Sequence, residues 1–431
     1  MTRVIEWIVS LLIVIALFVV IGLFLPSTRT VSESAETNRP MSTVNDLVGS
    51  FTRFRDWNSL VNKDPRVQLT TSGPEQGVGA KLEFKSNDAS IGNGSWTLIE
   101  DVPGEKIVYA VENEARGGNK LMTFRFERTG QRNQNVKITQ RYTVDYGWDL
   151  LGRYAGLYVT RGIGDEIKAG LGKVSNLLAT IPRFDYSQHE PGFSFVDLPA
   201  TNALVVTTAA KRANDDIAMA MTNQLKWIEQ VMEKSDLEPA GPMRIVTNEF
   251  SSDTYGFDIV MPIRRQGTGP APVESDTPEA GEGDAAAEGE AVAEAEAEVA
   301  PVAPVDPNAP LELLDVTVEG PVVYAQLPAM RAATTTYTGP SPGLPRVRDL
   351  TKAWAMVRGA ETWDRPYEEY LNPIKDMLME EAEFRVYWPV RIAGVEMAEP
   401  VIIAPLPTEP EEEGAEAEEA PAEAPETPAA G

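Results

Sequence analysis

The 431 residues predict an α+β chain behind an N-terminal transmembrane helix. Three observations predict it. An uncharged apolar run extends from Trp7 to Leu25. A series of short segments alternates apolar and polar residues and closes on one long amphipathic stretch. A strand-helix-strand pattern then occurs twice, on either side of an acidic, alanine-rich segment.

The apolar run is about 19 residues, and at about 1.5 Å per residue it is long enough to cross a bilayer core. Trp7 sits where an interfacial anchor belongs. The rival readings are a cleaved signal peptide and a buried core helix. The run exceeds a typical signal core, no clean small-residue cleavage site follows Pro26, and the segment is apolar all round. Residues 1–27 are therefore read as a retained single-pass anchor. Arg3 on the short N-terminal side and Arg29 and Arg39 beyond the run nearly balance the positive-inside rule. The short tail favours translocation of the bulk of the chain, which in a bacterium places it in the periplasm, tethered to the inner membrane.

Residues 28–186 read as one unit. Thr28–Ala35 is a candidate first strand, and Thr43–Phe54 a helix ending at Arg55-Asp56-Trp57. Period-two alternation then marks strands at Arg66–Thr71, Ala80–Ser86, Gly94–Glu100, Lys106–Val111, Lys120–Glu127 and Val136–Tyr146, with Gly- and Pro-rich turns between them. Asp149–Leu178 is amphipathic, with Leu157, Ile163, Ile167, Leu171, Val174 and Leu178 mostly three or four residues apart. Strands followed by one long helix predict an antiparallel sheet curved around that helix.

Residues 193–400 read as a second unit with a weak internal repeat, its halves roughly 120 to 130 residues apart. Each half opens on a strand (Ala203–Ala209; Val322–Leu327, then Ala332–Tyr337). A helix follows (Asn214–Lys234; Val347–Val357), and a strand containing an apolar-Pro pair closes each half (Gly256–Ile263; Phe384–Val390). The insert 264–310 and the tail 401–431 are mostly Ala, Glu, Pro and Gly, with too little apolar content for a core, so disorder is expected. The insert's two ends should meet at the surface, because it interrupts a single unit.

Charge and composition narrow the function. The net charge is −27, but the insert carries 11 carboxylates against two arginines and the tail nine glutamates with no cation. Two-thirds of the negative charge thus lies outside the two units. An acidic chain without clustered Lys/Arg is not a nucleic-acid binder. No cysteine means no disulfide, thiolate metal site or cysteine nucleophile, and a single histidine leaves no multi-His metal site. No phosphate-binding loop occurs, and Gly92-Asn93-Gly94 lacks the rest of a dinucleotide motif. Asp215-Asp216 and Glu380-Glu381 are neighbours in sequence and point apart on a helix. His189, in a polar segment between the units, is expected at the surface. No catalytic set, metal or cofactor is indicated.

Several motifs carry family resemblances. Arg39-Pro40, Phe54-x-x-Trp57, Asp64-Pro65, Gly73-Pro74-x-x-Gly77-x-Gly79-Ala80 and Gly92-x-Gly94, in that order along residues 28–182, resemble the SRPBCC or START-like (polyketide cyclase/dehydrase) superfamily. The resemblance implies a helix-grip fold with an apolar cavity for a lipid-like ligand. Trp96 and Phe124, on the inward parity of their strands, are the candidate lining residues, and filling a closed core is the alternative. In the second unit, Tyr337-x-Gly339-Pro340, Leu350, Trp354, Pro366-Tyr367-Glu368-x-Tyr370 and Val386-Tyr387-Trp388-Pro389-Val390 resemble the gyrase-inhibitor-like effector-binding domain. That resemblance implies a pseudo-two-fold pair of strand-helix-strand-strand units around a cleft for an aromatic or cationic molecule. Trp354, Tyr367, Glu368 and Tyr370 are its candidate ligand residues, by stacking and by charge. The acidic residue often found four positions before the last proline is Arg385 here, and Asp258 occupies the matching place in the first half. The resulting expectation is a membrane-anchored binder of hydrophobic or amphipathic small molecules. The alternatives are a cyclase- or hydrolase-type enzyme using Glu368, and an envelope scaffold whose acidic insert and tail meet a basic protein.

Overall fold

The computed structural model describes residues 2–268, 311–391 and 397–403. All but the first five residues of the acidic insert and nearly all of the tail, with the basic partner expected for them, lie outside those residues. The architecture is mixed α+β, with an N-terminal apolar helix and two curled antiparallel sheets.

Helix α1 (Thr2–Phe24) has 23 residues, about 34 Å at 1.5 Å per residue, and ends before Pro26, which cannot continue a helix. It is long and apolar enough to be a membrane anchor or a signal sequence, and its side chains are almost all exposed.

The first unit follows. Its elements are β1 (Thr28–Thr37), α2 (Met41–Gly49), α3 (Phe54–Trp57), α4 (Ser59–Lys63), β2 (Gln68–Ser72), β3 (Lys81–Lys85), β4 (Asn93–Val102), β5 (Lys106–Asn113), β6 (Gly118–Thr129), β7 (Asn135–Asp145), α5 (Leu150–Ala155) and α6 (Val159–Thr180). The sheet order is β1-β7-β6-β5-β4-β3-β2, antiparallel throughout. Its concave face receives Ile167, Leu171, Val174 and Leu178 of α6, all buried. All seven strands stand within a few residues of the expected positions. Two helices differ. The expected Thr43–Phe54 helix breaks at Ser50, which turns extended to bridge Gln76. The Asp149–Leu178 stretch breaks at Gly156, where the chain passes so close to Tyr146 that a Cβ would lie 2.8 Å from its ring. Leu157 therefore leaves the buried stripe and is half exposed.

The second unit comprises β8 (Ser194–Leu198), β9 (Thr201–Lys211), α7 (Asn214–Lys234), β10 (Leu237–Pro239), β11 (Met243–Phe250), β12 (Thr254–Arg265), β13 (Val323–Leu327), β14 (Met330–Thr338), α8 (Leu344–Val357), β15 (Glu361–Thr362), β16 (Tyr367–Tyr370), β17 (Glu383–Arg391) and β18 (Val401–Ile403). The main order is β18-β13-β9-β12-β11-β16-β17-β14-β8. Outward from the β11–β16 junction the two sides match: each half contributes three strands of its own and then one strand that precedes the other half. One continuous register joins the outer strands. Ser194 faces Thr334 and Leu198 faces Met330; beyond a two-residue Pro-Ala corner on each strand, Thr201 faces Leu327 and Val205 faces Val323. Pro199 and Pro328 have no N–H for the ladder, so both strands bend there and the sheet curls on itself.

Helices α7 and α8 cover one face, packing Ile228, Val231 and Val347 onto Leu204, Val206, Ile245, Phe257, Ile259 and Val386. Arg265 and Glu312 pair at 3.0 Å, so the chain segments flanking the insert do meet. The tail departs from expectation at Val401–Ile403, which forms β18 and covers an edge of β13 that would otherwise stand unpaired.

Trp354 lies between the units. Its ring stacks on Phe193 (5.7 Å) and meets Phe195 at a tilt (4.8 Å), and Arg358 lies 4.5 Å above it while pairing with Asp46 at 3.3 Å. The carbonyl of Met356 accepts from Arg53 at 2.6 Å. Leu350, Ala353 and Val357 join the same buried cluster as Phe51 and Phe54, so one apolar core runs through both units.

Candidate functional site

The curled second sheet sends alternate residues to opposite faces. On β16 the even residues, Glu368 and Tyr370, point to the helices, and the odd ones, Tyr367 and Glu369, to the open face. Cross-strand pairing propagates this parity: Tyr367 lies opposite Val246 and Tyr387, and Glu369 opposite Arg244 and Arg385.

The open face lines a cleft of about 550 Å³. Its apolar wall is built by Val205, Val246, Val260, Val323, Leu327 and Met330, and its polar groups include Arg244, Asp258, Arg365 and Tyr367. Asp258 accepts from Thr207 Oγ1 at 2.7 Å and Asn248 Nδ2 at 2.6 Å, and pairs with Arg365 at 3.2 Å. Beside the cleft, Glu369 is buried and accepts from Arg244 Nε (3.2 Å), Arg385 Nη1 (3.1 Å) and the Tyr387 hydroxyl (3.1 Å). The two buried acids of this face are thus paired with arginine, while the exposed Asp364 and Glu399 also line the cleft. The Tyr367 ring stacks on Tyr387 at 4.8 Å and lies 5.4 Å under the Arg244 guanidinium. Its hydroxyl is buried with no hydrogen-bond partner among the described residues, and burial pushes its pKa well above the ordinary value.

A second cavity, about 240 Å³, lies in the first unit between the sheet and helices α4 and α6. Trp57, Phe84, Trp96, Val111, Met122 and Ile163 give it an apolar wall. Two buried polar atoms on its lining residues, Trp57 Nε1 and Gln140 Oε1, have no partner among the described residues. Burial pushes the Tyr142 phenol, also on the wall, up to about 12. The ion pair between Lys63 of α4 and Glu166 of α6 spans the wall between the two helices.

The expected site residues are dispersed by this geometry. Trp96 lines the first cavity. Phe124 does not: it is fully buried in the core, edge-on to Trp57 at 5.9 Å and Tyr109 at 6.2 Å. Tyr367 lines the cleft. Glu368 faces the opposite way, fully buried and held by Arg348 of α8, whose Nη2 donates at 3.0 Å. Full burial raises its pKa against the pull of Arg348. Tyr370 lies on that same helix-side face, beside Arg348 in a separate hollow of about 320 Å³ between α7 and α8. Trp354 belongs to the junction between the units. His189 is half-buried rather than free at the surface, with Nε2 3.1 Å from both Thr335 Oγ1 and the Thr336 carbonyl. Arg244, Arg365 and Glu369 were not singled out in the sequence. The signal that finds them is the parity of Tyr367 carried across the register to β11 and β17.

No family model matches the chain, and no curated protein matches it. Among solved structures, the EcmrR C-terminal domain aligns over 46% of this chain and 96% of its own at 12% identity, with a TM-score of 0.30. A solution structure from Thermobifida fusca covers 35% of this chain and 93% of its own at 18% identity, TM-score 0.27. The protein XoxI from Bacillus cereus covers 35% and 96% at 17% identity, TM-score 0.27. Similarity at this level assigns neither fold nor activity.

Proposed function

We propose that the chain is a membrane-tethered, non-catalytic binding protein whose second unit holds an amphipathic small molecule with an anionic or hydrogen-bond-accepting head. The observation that carries the reading is the Tyr367 hydroxyl, buried without a partner among the described residues on the wall of the cleft. A buried donor left unmade is costly, and a ligand acceptor would satisfy it. Arg365 and Arg244 stand on the same wall, each already paired with a carboxylate, so an anionic head would share those pairs. The two buried acids, Asp258 and Glu369, are held by three arginines (Arg365, Arg244 and Arg385), one cation more than they neutralise, whereas the other two acids on the lining, Asp364 and Glu399, are exposed to solvent. This shifts the preference away from the cationic molecules that the effector-binding resemblance implies. The reading retains the finer fold expectation of a START-like unit followed by an effector-binding-like unit, supported by seven antiparallel strands on one long helix and by the matched strand order around the β11–β16 junction. It also retains the periplasmic placement at a bacterial inner membrane.

The test uses the full chain in nanodiscs and a panel of soluble amphiphiles of equal chain length, carboxylate against trimethylammonium. The carboxylate should raise the thermal midpoint and the ammonium should not. Tyr367→Phe should weaken binding about fivefold, the value of one hydrogen bond near 1 kcal/mol. Preference for the ammonium, or equal binding by Tyr367→Phe, overturns the reading.

A further inference from the structure

The geometry points to a second membrane contact: we propose that the elbow formed by α5 and the turn after it lies in the bilayer interface and seats the first unit on the membrane. The inference rests on α1 remaining in the bilayer.

Three observations carry it. The first is that α5 is fixed to the end of α1. Arg153 Nη1 donates to the carbonyls of Gly22 (3.3 Å), Leu23 (3.1 Å) and Leu25 (3.2 Å), while its Nε and Nη2 hold the Gly147 carbonyl. A cation at a helix C-terminus satisfies carbonyls that have no partner within the helix and complements its dipole. The second is the depth of the contact. The Tyr154 hydroxyl donates to the Phe18 carbonyl at 2.8 Å and its ring stacks on Phe18 at 4.2 Å. Gly22 makes room, since a Cβ there would lie 3.2 Å from the Tyr154 ring. Phe18 is six residues inside the end of α1, so Tyr154 sits about 9 Å below the top of the span. Any bilayer that accommodates α1 therefore reaches α5.

The third is what the elbow exposes. Trp148 is 84% exposed, Tyr158 75%, Leu151 55% and Leu157 50%. Two aliphatic side chains flanked by a tryptophan and a tyrosine match the chemistry of the headgroup boundary, where amphipathic rings settle and leucines enter the acyl region. The occupant is the same bilayer that receives α1, because this patch is continuous with that helix.

Seating the elbow also positions the first cavity. Ile163 and Glu166 of its wall lie on α6 about one to two turns beyond Tyr158. The gap between α4 and α6, spanned by the Lys63–Glu166 pair, therefore stands next to the membrane surface.

The chain has no cysteine, so a single introduced cysteine reports one site. Nitroxide labels at Leu12→Cys (α1), Leu157→Cys (elbow) and Met219→Cys (exposed on α7) are read in the full chain in phosphatidylcholine/phosphatidylglycerol nanodiscs. At Leu12 and Leu157, collisions with oxygen should exceed those with a water-soluble nickel chelate several-fold, and at Met219 the order should reverse. A second reading compares the unsubstituted chain with Trp148→Phe in brominated lipid, where the substitution should remove a blue-shifted, lipid-quenched component. A water-accessible Leu157 beside a lipid-exposed Leu12 overturns the elbow contact while leaving the anchor intact. A water-accessible Leu12 overturns the anchor and this inference with it. A Leu157 label shielded from both reagents means that protein covers the patch, and also overturns it.

Discussion

Substituting Glu368 by leucine separates a structural role from a ligand-binding one. The Glu368 side chain is 0% and the Arg348 side chain 11% exposed, so neither is screened by solvent. Removing the carboxylate leaves the guanidinium buried without its counter-charge, with the Tyr255 side chain left beside it. Breaking a buried pair in this way costs about 3–5 kcal/mol. At about 2–4 °C per kcal/mol for a unit of this size, the thermal midpoint should fall by roughly 6–20 °C. The double variant Glu368→Leu with Arg348→Met removes both charges, and an apolar replacement of a buried pair is often neutral. Its stability should return to within about 1–2 kcal/mol of the unsubstituted chain, giving a coupling energy of several kcal/mol in a double-mutant cycle. Urea unfolding followed by circular dichroism measures all four corners of the cycle. A single variant costing under about 1 kcal/mol, or a double variant costing the sum of the singles, refutes the assignment of this pair to the core.

Phe124→Ala should cost about 3–5 kcal/mol in urea unfolding, as for a large fully buried ring. A cost under about 1 kcal/mol would contradict its place in the core and restore it as a candidate lining residue of the first cavity. His189 gives a pH signature. Burial, with Arg346 nearby, holds its imidazole below the ordinary 6.5, so the folded chain prefers the neutral ring. That contribution is present above pH 6.5 and is lost as pH falls toward the folded pKa. His189→Gln should remove a loss of stability that begins below about pH 6.5, and identical profiles for the two chains contradict it. Gly22→Leu should push Tyr154 off α1, since even a Cβ meets the ring at 3.2 Å. Amide exchange across Leu150–Ala155 should then rise, while the cleft retains its affinity.

Much of the fold is legible in the sequence because hydrophobic period and turn chemistry are local. The apolar run of α1, the seven strands of the first sheet and the bounds of α7 follow from residues within a few positions of one another. The departures have nonlocal causes. Ser50 breaks a helix to reach Gln76, Gly156 breaks another to pass Tyr146, and Val401–Ile403 becomes a strand because β13 leaves an edge open. The five-residue β8 is not legible, since its partner β14 lies more than 130 residues along the chain; β11, which pairs with the adjacent β12 as well as with the distant β16, is not legible from alternation alone.

The candidate site shows the same division more sharply. Period two states that Glu368 and Glu369 face opposite ways, and the composition of Tyr367–Tyr370 marks the segment as unusual. Neither says which acid the helices will cover. Packing decides it: α8 places Arg348 over Glu368, and the register sets Glu369 between Arg244 and Arg385 on the open side. Trp354, aromatic and helical, reads equally well as a ligand contact or a packing residue until the first unit docks against it. The sequence by itself determined the N-terminal apolar helix, the strands of the first sheet and the alternation of faces. Only the tertiary structure decided which face became a cleft, because that depends on how α8 packs over β16 and on cross-strand pairs such as Arg244–Glu369 and Arg365–Asp258, more than a hundred positions apart.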